Sequence, residues 1–418
     1  MTGNKTLSEV CEFQEGYVNP SQKERSYFGG DIKWLRASDL NDGFVYDTEA
    51  KLSEKGFLSA GKSAKLFKKG TLAISKSGTI GRLGILQDEM CGNRAVINID
   101  VNEDEANLKY VFYTLKYKVN ELIGKAGGSI QKNLYISSLE TLALNHNSKS
   151  DQQKIAKVLS DLDAKIELNN KINAELEAMA KLIYDYWFVQ FDFPDANGKP
   201  YKSSGGAMVY NAELKREIPK GWEVKKLEEI VKHNYDSLDR NKRNAQIEYL
   251  DTSSLTNNVV NGTQFLDSRI SKIPSRAQRK VNSNDILYST VRPNLCHYGI
   301  IKHPKREMVA STGFVQLTSK NNEITSDLIY TFLTSSWVTE RLHQIAVLSV
   351  SAYPSISAKD VLELKIALPK DKKVLKTINT TLHNVYAKVS LNQKQNQHLS
   401  SLRDWLLPML MNGQVRVG

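Results

Sequence analysis

The run Lys76-Ser77-Gly78-Thr79-Ile80-Gly81-Arg82 sets two cations and two hydroxyls around a pair of glycines. Ammonium, guanidinium and hydroxyl groups donate hydrogen bonds, and glycine lets a backbone approach a ligand closely. The set therefore suits phosphate oxygens or base edges. The stretch Gly127-Gly128-Ser129-Ile130-Gln131-Lys132-Asn133 offers Ser129, Gln131, Lys132 and Asn133 in the same way; Gln and Asn amides match adenine, and Lys and Arg match guanine. Further along, Ser289-Thr290-Val291-Arg292-Pro293-Asn294 and Ser351-Ala352-Tyr353-Pro354-Ser355 carry comparable chemistry, with Ser289, Arg292, Asn294 and Tyr353 as candidate contacts. Ordinary tight turns are the competing account of these glycines and prolines. Two basic runs add charge. Residues 61–82 hold Lys62, Lys65, Lys68, Lys69, Lys76 and Arg82 with no acid, and residues 268–284 hold Arg269, Lys272, Arg276, Arg279 and Lys280 with none. Lys68, Lys69, Arg276 and Arg279 are the phosphate candidates.

Catalytic chemistry is present in letters only. Gly56 to Ser63 fits GxxxxGK[ST], but a phosphate-cradling loop follows a buried apolar strand, and Ala50-Lys51-Leu52-Ser53-Glu54-Lys55 is polar. Asp195 with Glu213 and Lys215 resembles a nuclease pattern, yet these residues fall in a Pro/Gly/Ser-rich stretch without the rigid support a metal site needs. There is no HExxH, no CxxC among three cysteines, no Gly-rich dinucleotide fingerprint and no Asn-Pro-Pro-aromatic tetrapeptide. The chain reads as a binder with no catalytic residues, no metal and no cofactor of its own.

The chain has 418 residues, 40% hydrophobic and 25% charged, with a formal net charge of +11. That length supports two to four domains, and the positive balance favours a polyanionic partner. No apolar run is long enough to span a membrane, and MTGNKTLSEV lacks the apolar core of a signal peptide, so a reducing cytoplasm is expected.

The elements that hold these loops repeat. IELNNKINAEL at 166–176 returns as VSLNQKQNQHL at 389–399, with Leu168/Leu391, Asn169/Asn392, Lys171/Lys394, Asn173/Asn396 and Leu176/Leu399 identical. Weaker echoes keep the same order, among them Trp34-Leu35 with Tyr249-Leu250, Gly70 to Ser75 with Asn284 to Ser289, and Ile136-Ser137 with Ile356-Ser357. So long a period implies a duplicated unit rather than a solenoid, and two-fold pseudo-symmetry suits duplex DNA. The expected organisation is a globular unit at 1–148, a long helix within 149–189, a linker at 190–222, a second globular unit at 223–368 and a second long helix within 369–418. Ser150-Asp151 is expected to cap the first helix, and Pro408 to kink or end the second early. Ile155, Leu159, Leu162, Ile166, Asn169, Asn173, Leu176, Ala180 and Ile183 recur at 4-3 spacing, as do Ile378, Leu382, Val385, Val389, Asn392, Asn396, Leu399 and Leu406, interrupted by Arg403. This is the seam of a coiled-coil pair. If the helices run antiparallel, Asn169 and Asn392 should meet in a polar layer that fixes register; solvent-exposed asparagines are the other reading. A second apolar stripe (Leu168, Ile172, Met179, Leu182, Tyr186; Leu391, Leu402, Trp405, Met409) faces either a neighbour or the chain's own core.

With these residues in view the chain resembles the specificity subunit of type I restriction–modification enzymes over essentially its whole length. The resemblance rests on the order of segments and on Asp151 to Asn170, Tyr184 to Phe188, Phe191-Asp-Phe-Pro194 and Ile218-Pro-Lys-Gly-Trp222. Gly78-Thr79-Ile80-Gly81, Gly128-Ser129 with Gln131, and Asp285 to Ser289 with Val291-Arg292-Pro293 are of the family's type. It implies an α+β fold, with two pseudo-symmetric α/β target-recognition domains separated by two long antiparallel coiled-coil helices. Each domain would read one half of a split target in double-stranded DNA. The helices would space the domains and dock two modification (methyltransferase) subunits, which bring S-adenosylmethionine. Restriction (translocase/nuclease) subunits would bring ATP and Mg chemistry. No base-contacting residue carries over from the family. A coiled-coil scaffold that binds nucleic acid without sequence preference is the alternative function.

Overall fold

The computed structural model of the protein describes residues 5–128, 132–145, 148–238, 246–321, 323–349 and 354–417. The chain divides into two compact units, Met1–Leu168 with Asn396–Gly418, and Asn169–Gln395. Each therefore combines one globular domain with a stretch of both long helices.

In the first unit a five-stranded sheet runs Cys11–Glu15, Val96–Val101, Leu72–Ser75, Leu83–Leu86, Gly43–Val45. Its last pair is parallel and the others antiparallel. The central strands are buried along their whole length, so they read as continuous apolar runs. Their side chains still alternate. Leu72, Ile74, Leu83, Ile85, Ile97 and Ile99 enter one cluster with the helix Leu108–Tyr117, while Ala73, Leu86 and Val96 enter another with Leu35, Val45 and Phe67. That second cluster joins the sheet to a smaller one, Lys51–Leu52, Phe28–Leu35, Met90–Gly92, Leu66–Phe67, whose middle pair is parallel.

The second unit repeats this plan. One sheet runs Val231–His233, Phe314–Ser319, Asp285–Ser289, Tyr298–Ile301, and the other Gln264–Asp267, Gln246–Leu250, Met308–Ser311, Ala277–Lys280, again with a parallel middle pair. Ile286 and Tyr288 face the larger cluster and Leu287 the other, matching the alternation of the first unit. The α+β duplication expected from the sequence is thus the observed fold. One detail of the alignment shifts. Leu134 N donates to Lys76 O and Ile356 N to Thr290 O, both at 2.8 Å, so Ile356 is the counterpart of Leu134 rather than of Ile136.

The long helices span Lys149–Tyr184 and Lys372–Met411, about 54 and 60 Å at ~1.5 Å per residue. The first starts earlier than Ser150-Asp151 implies. Ser148 takes the cap position, its Oγ accepting from Asp151 N at 3.4 Å and its carbonyl from Gln152 N at 3.0 Å. It continues into one π turn, Asp185–Val189. Pro408 does not end the second helix; burial of Leu407, Leu410 and Met411 holds the last turn in place, and the stop falls at Gly413 (φ +68°). The 190–222 stretch, expected as a plain linker, is packed. Phe191 and Phe193 are buried against Trp222, and Met208–Asn211 forms a hairpin with Arg216–Pro219. The aromatics outweigh the turn formers around them, because each buried ring contributes far more than a loop residue costs to order.

Both units show the helices antiparallel. In the first, Asp163 meets Arg403, and Ile155 and Leu159 share a cluster with Leu407, Leu410 and Met411. In the second, Asn169 Nδ2 donates to Gln395 Oε1 at 2.9 Å, and Asn392 Nδ2 donates to Asn173 Oδ1 at 2.8 Å. A buried polar layer exists, therefore, and in it Asn169 bonds Gln395 and Asn392 bonds Asn173, each partner one turn from the repeat equivalent. A side chain in an antiparallel pair lies between two residues of the facing helix, which brings positions beside the equivalent one within reach. Ile155, Ile378 and Val385 of the seam are buried, and Leu162, Leu176 and Leu399 half-buried. Among the described residues no helix is long and apolar enough to cross a membrane.

Candidate nucleic-acid interface

In the first unit the strand Leu72–Ser75 delivers the loop 76–82. Ser75 braces it: its Oγ donates to Thr79 O at 2.5 Å and accepts from Arg82 N at 2.8 Å. Gly81 has φ +90°, and a Cβ there would lie 2.3 Å from Val119 Cγ2, so the turn requires glycine. The second candidate loop lies alongside. Gly127 and Asn133 exchange backbone hydrogen bonds, and the neighbouring Leu134 N reaches Lys76 O. Lys76 N in turn donates to Ala95 O at 2.8 Å, which brings in the turn holding exposed Arg94. Ser77, Thr79, Arg82, Arg94, Lys132 and Asn133 are thus gathered at one edge of the domain. Ser129 and Gln131 lie outside the described residues.

Three cations of the basic run do not join them freely. Lys76 turns its ammonium onto Glu15 at 2.8 Å, with both side chains largely buried. Lys68 and Lys69 precede Leu72, at the opposite end of the strand from the loop. Lys68 also pairs with Asp100 at 3.1 Å, and that bond holds its ammonium above the ordinary lysine range. A run of like charge in sequence is divided once a buried strand is threaded through it.

The second unit builds the same edge from different residues. Asp285–Ser289 delivers the loop 289–294. Ser289 is buried, and its Oγ donates to Val291 O at 2.9 Å and accepts from Val291 N at 3.1 Å, so it shapes the turn as Ser75 does and is not a free contact. Arg292 is exposed at φ +48°, with its N–H donated to Pro354 O at 2.9 Å. Thr290 N bonds Gly313 O and Thr312 N bonds Arg276 O, at 2.9 and 2.8 Å, which places Arg276 beside the loop. Arg276, Arg292 and Asn294 are exposed at this edge. Arg279 is carried inward: it is half-buried, its Nε has no hydrogen-bond partner among the described residues, and burial lowers its pKa. Tyr353 lies outside the described residues. Arg94 is the cation the sequence reading missed; its signal was the Gly92-Asn93 turn between two apolar runs.

The literal enzyme motifs are accounted for otherwise. Gly56 sits inside a short helix, Glu54–Leu58, capped by Ser53. Asp195 accepts from the backbone N–H groups of Asn197 and Lys199 in its own turn, and Glu213 pairs with Lys365 at 3.0 Å. Among the described residues no group of three or more His, Cys, Asp and Glu is placed to hold a metal ion.

The second helical stripe is exposed in both units. Leu168, Leu402 and Trp405 are 51%, 43% and 57% exposed in the first, and Leu391, Met179 and Leu182 are 57%, 52% and 67% exposed at the matching repeat positions of the second. Large apolar side chains are thus left in water at equivalent places of the two units.

Comparison with known proteins agrees with this architecture. The sequence family described as type I restriction modification DNA specificity domain matches residues 2–178 and again 219–401. The MjaIX specificity subunit of a Methanocaldococcus jannaschii type I restriction enzyme is 29% identical over 99% of this chain and 93% of its own length. The HindI specificity subunit of Haemophilus influenzae is 23% identical over 71% of this chain and 74% of its own. A crystal structure of the S subunit of a type I restriction–modification system from M. genitalium covers 98% of this chain and 95% of that one, with a TM-score of 0.52 at 16% identity, a likeness of fold.

Proposed function

The chain belongs to the type I restriction–modification DNA specificity family, a family of DNA-recognising subunits, and we propose that it reads a bipartite target in double-stranded DNA with one half-site per unit. The observation that carries this reading is the paired edge. Each unit gathers cations and amides at the same place in its fold, Arg82, Arg94, Lys132 and Asn133 in one and Arg276, Arg292 and Asn294 in the other. The residues differ between units while the scaffold is kept, as expected if each reads its own bases. Phosphate contacts from the arginines and lysines supply affinity and register, and amides and guanidiniums on base edges supply sequence.

The exposed helical stripes dock the modification subunits, one copy per patch, and restriction subunits join that core. Catalysis resides in these partners, with S-adenosylmethionine, ATP and Mg. The test is to map methylated adenines made on random-sequence DNA by the complex of this chain with its modification subunits. Exchanging residues 223–368 for those of a relative should change one half of the mapped target completely and leave the other intact. Loss or change of both halves would show that the units do not read independently. Methylation without any defined motif would favour the non-specific scaffold.

A further inference from the structure

Within the second unit one residue ties the recognition domain to both long helices. Asn258 is buried, at φ +63°, a conformation asparagine tolerates better than most residues. Its N–H donates to Tyr298 O at 2.8 Å, and its Oδ1 accepts from Ile300 N at 2.9 Å, which fastens the turn to the strand Tyr298–Ile301. Its Nδ2 donates to Glu177 Oε1 on the first long helix at 2.7 Å. Its carbonyl accepts from Gln393 Nε2 on the second, also at 2.7 Å. Backbone and side chain of a single buried residue thus meet a domain strand and two helices.

The first unit sets a left-handed residue against the matching strand with a related bonding pattern. Asp42, at φ +60°, donates its N–H to Leu83 O at 2.8 Å, and its Oδ1 accepts from Leu83 N at 2.9 Å. A carboxylate oxygen thus anchors Asp42 to Leu83, and an amide oxygen anchors Asn258 to Ile300, two residues beyond the counterpart of Leu83. An asparagine is needed only where the side chain must also donate, and Asn258 has a carboxylate to donate to. The amide is thus matched to the helix and not merely to the turn.

We propose that Asn258 is a positioning residue that sets how the second recognition domain is held on the helical spacer, and so which spacing between half-sites the complex accepts. The inference rests on the bipartite reading above. A buried three-way tie fixes rotation of the domain about the helices, and a small misplacement at this root is enlarged at the DNA-facing edge. Asn258→Asp keeps an acceptor oxygen for Ile300 N and tolerates the left-handed backbone, but sets a carboxylate against Glu177. Pairing it with Glu177→Gln restores the bond with donor and acceptor exchanged. Gln393→Ala removes the other leg and leaves the turn untouched.

The complex with modification subunits is given S-adenosylmethionine and a random-sequence DNA library, and methylated adenines are mapped. The wild type should show one spacer length. Asn258→Asp should raise the fraction of sites one base pair off by about tenfold, with both half-site sequences unchanged. Gln393→Ala should do so more weakly, and Asn258→Asp with Glu177→Gln should restore the single length. A single spacer length retained in both Asn258→Asp and Gln393→Ala overturns the inference even if either protein melts earlier, and so does failure of the double variant to recover. A wild type with no bipartite motif overturns the reading beneath it, and that outcome is seen before any variant is made.

Discussion

Where the first unit sets Asp163 and Arg403, the second sets Tyr386 and Ala180 at the same positions of the helix repeat. In the first, Asp163 accepts from Tyr113 Oη and from Arg403 Nη1, both at 2.6 Å, and Arg403 also reaches Asp404 at 2.8 Å. Burial pushes the Tyr113 phenol up, so it remains a donor at any ordinary pH. In the second, Tyr386 lies 3.0 Å from Thr331 Oγ1 and edge-on to the Tyr330 ring, and Ala180 is fully buried. One fold closes the junction between domain and helices with an ionic set, the other with aromatic packing. The outward faces behave differently. Leu168 and Leu391, Leu402 and Met179, Trp405 and Leu182 stay large, apolar and exposed in both units. Inward, each unit meets its own domain, and the residues are free to diverge together. Outward, the residues do not diverge in kind, as the proposed docking of the same partner on both faces requires.

The equivalence of the outward faces is the part most easily broken. Trp405→Glu puts a charge into one proposed patch and Leu182→Glu into the other. Burying an unpaired carboxylate at the centre of an interface costs on the order of 2–4 kcal/mol, about 30-fold to several hundred-fold in affinity. Native mass spectrometry should find each single variant with one modification subunit instead of two, and the double variant with none. Two subunits bound to the double variant would remove the patches from the docking surface. Unequal losses would show that the repeat positions match in burial but not in use.

The inward difference is tested by exchanging one chemistry for the other. Arg403→Ala strands Asp163 in a partly buried site with only the Tyr113 hydroxyl, a loss on the order of 2–3 kcal/mol. Asp163→Tyr with Arg403→Ala copies the second unit and should recover most of that loss, since a well-packed apolar replacement of an ion pair is close to neutral. Hydrogen-exchange protection across Leu108–Tyr117 reads the effect within the first unit. If the double variant is no better protected than Arg403→Ala, the two junctions are not interchangeable and the neighbouring side chains have adapted to each.

Much of this was legible beforehand, for reasons that separate the helices from the loops. The seam and the duplicated order were carried by apolar spacing, which full or partial burial enforces at its apolar positions. Asn169 and Asn392 stood out as polar in that seam, yet their partners did not, because a repeat gives equivalence and the bonding register depends on how side chains interleave. Arg403 read as an interruption because its partner Asp163 lies on the other helix. The edge proposed to face DNA was only half legible. Ser289 looks like a potential donor in the sequence and turns out, like Ser75, to brace its turn. Lys76 looked free until Glu15, far away in sequence, was brought to it. Local chemistry names the candidates, and long-range pairing decides which of them keep their charge for a ligand.

The smallest expected effect concerns the half-buried carboxylate of Glu177 in the second unit. Burial raises the Glu177 pKa above 4.5, opposed by the hydrogen bond from Asn258 and by Lys181. In the unfolded chain this carboxyl loses its proton at its ordinary value, and in the folded chain only at higher pH. Across the interval between the two the folded state binds more protons than the unfolded one, so stability falls as pH rises through it. The contribution is complete below pH 4.5 and is lost by the time pH has passed the raised folded value. Glu177→Gln keeps an oxygen for Asn258 Nδ2 and removes the titration. Urea denaturation midpoints measured from pH 4.5 to about pH 7 should therefore decline less steeply for the variant than for the wild type. Relative to wild type, the variant should gain stability as pH rises. Because the titrating group and its partners all belong to the second unit, the difference should appear in protection of Tyr298–Ile301 and not of Leu83–Leu86. Parallel pH profiles for the two proteins would mean that Glu177 is hydrated enough to titrate as it does in the unfolded chain, and the contrast between an amide-tied and an ion-tied unit would then be one of geometry alone.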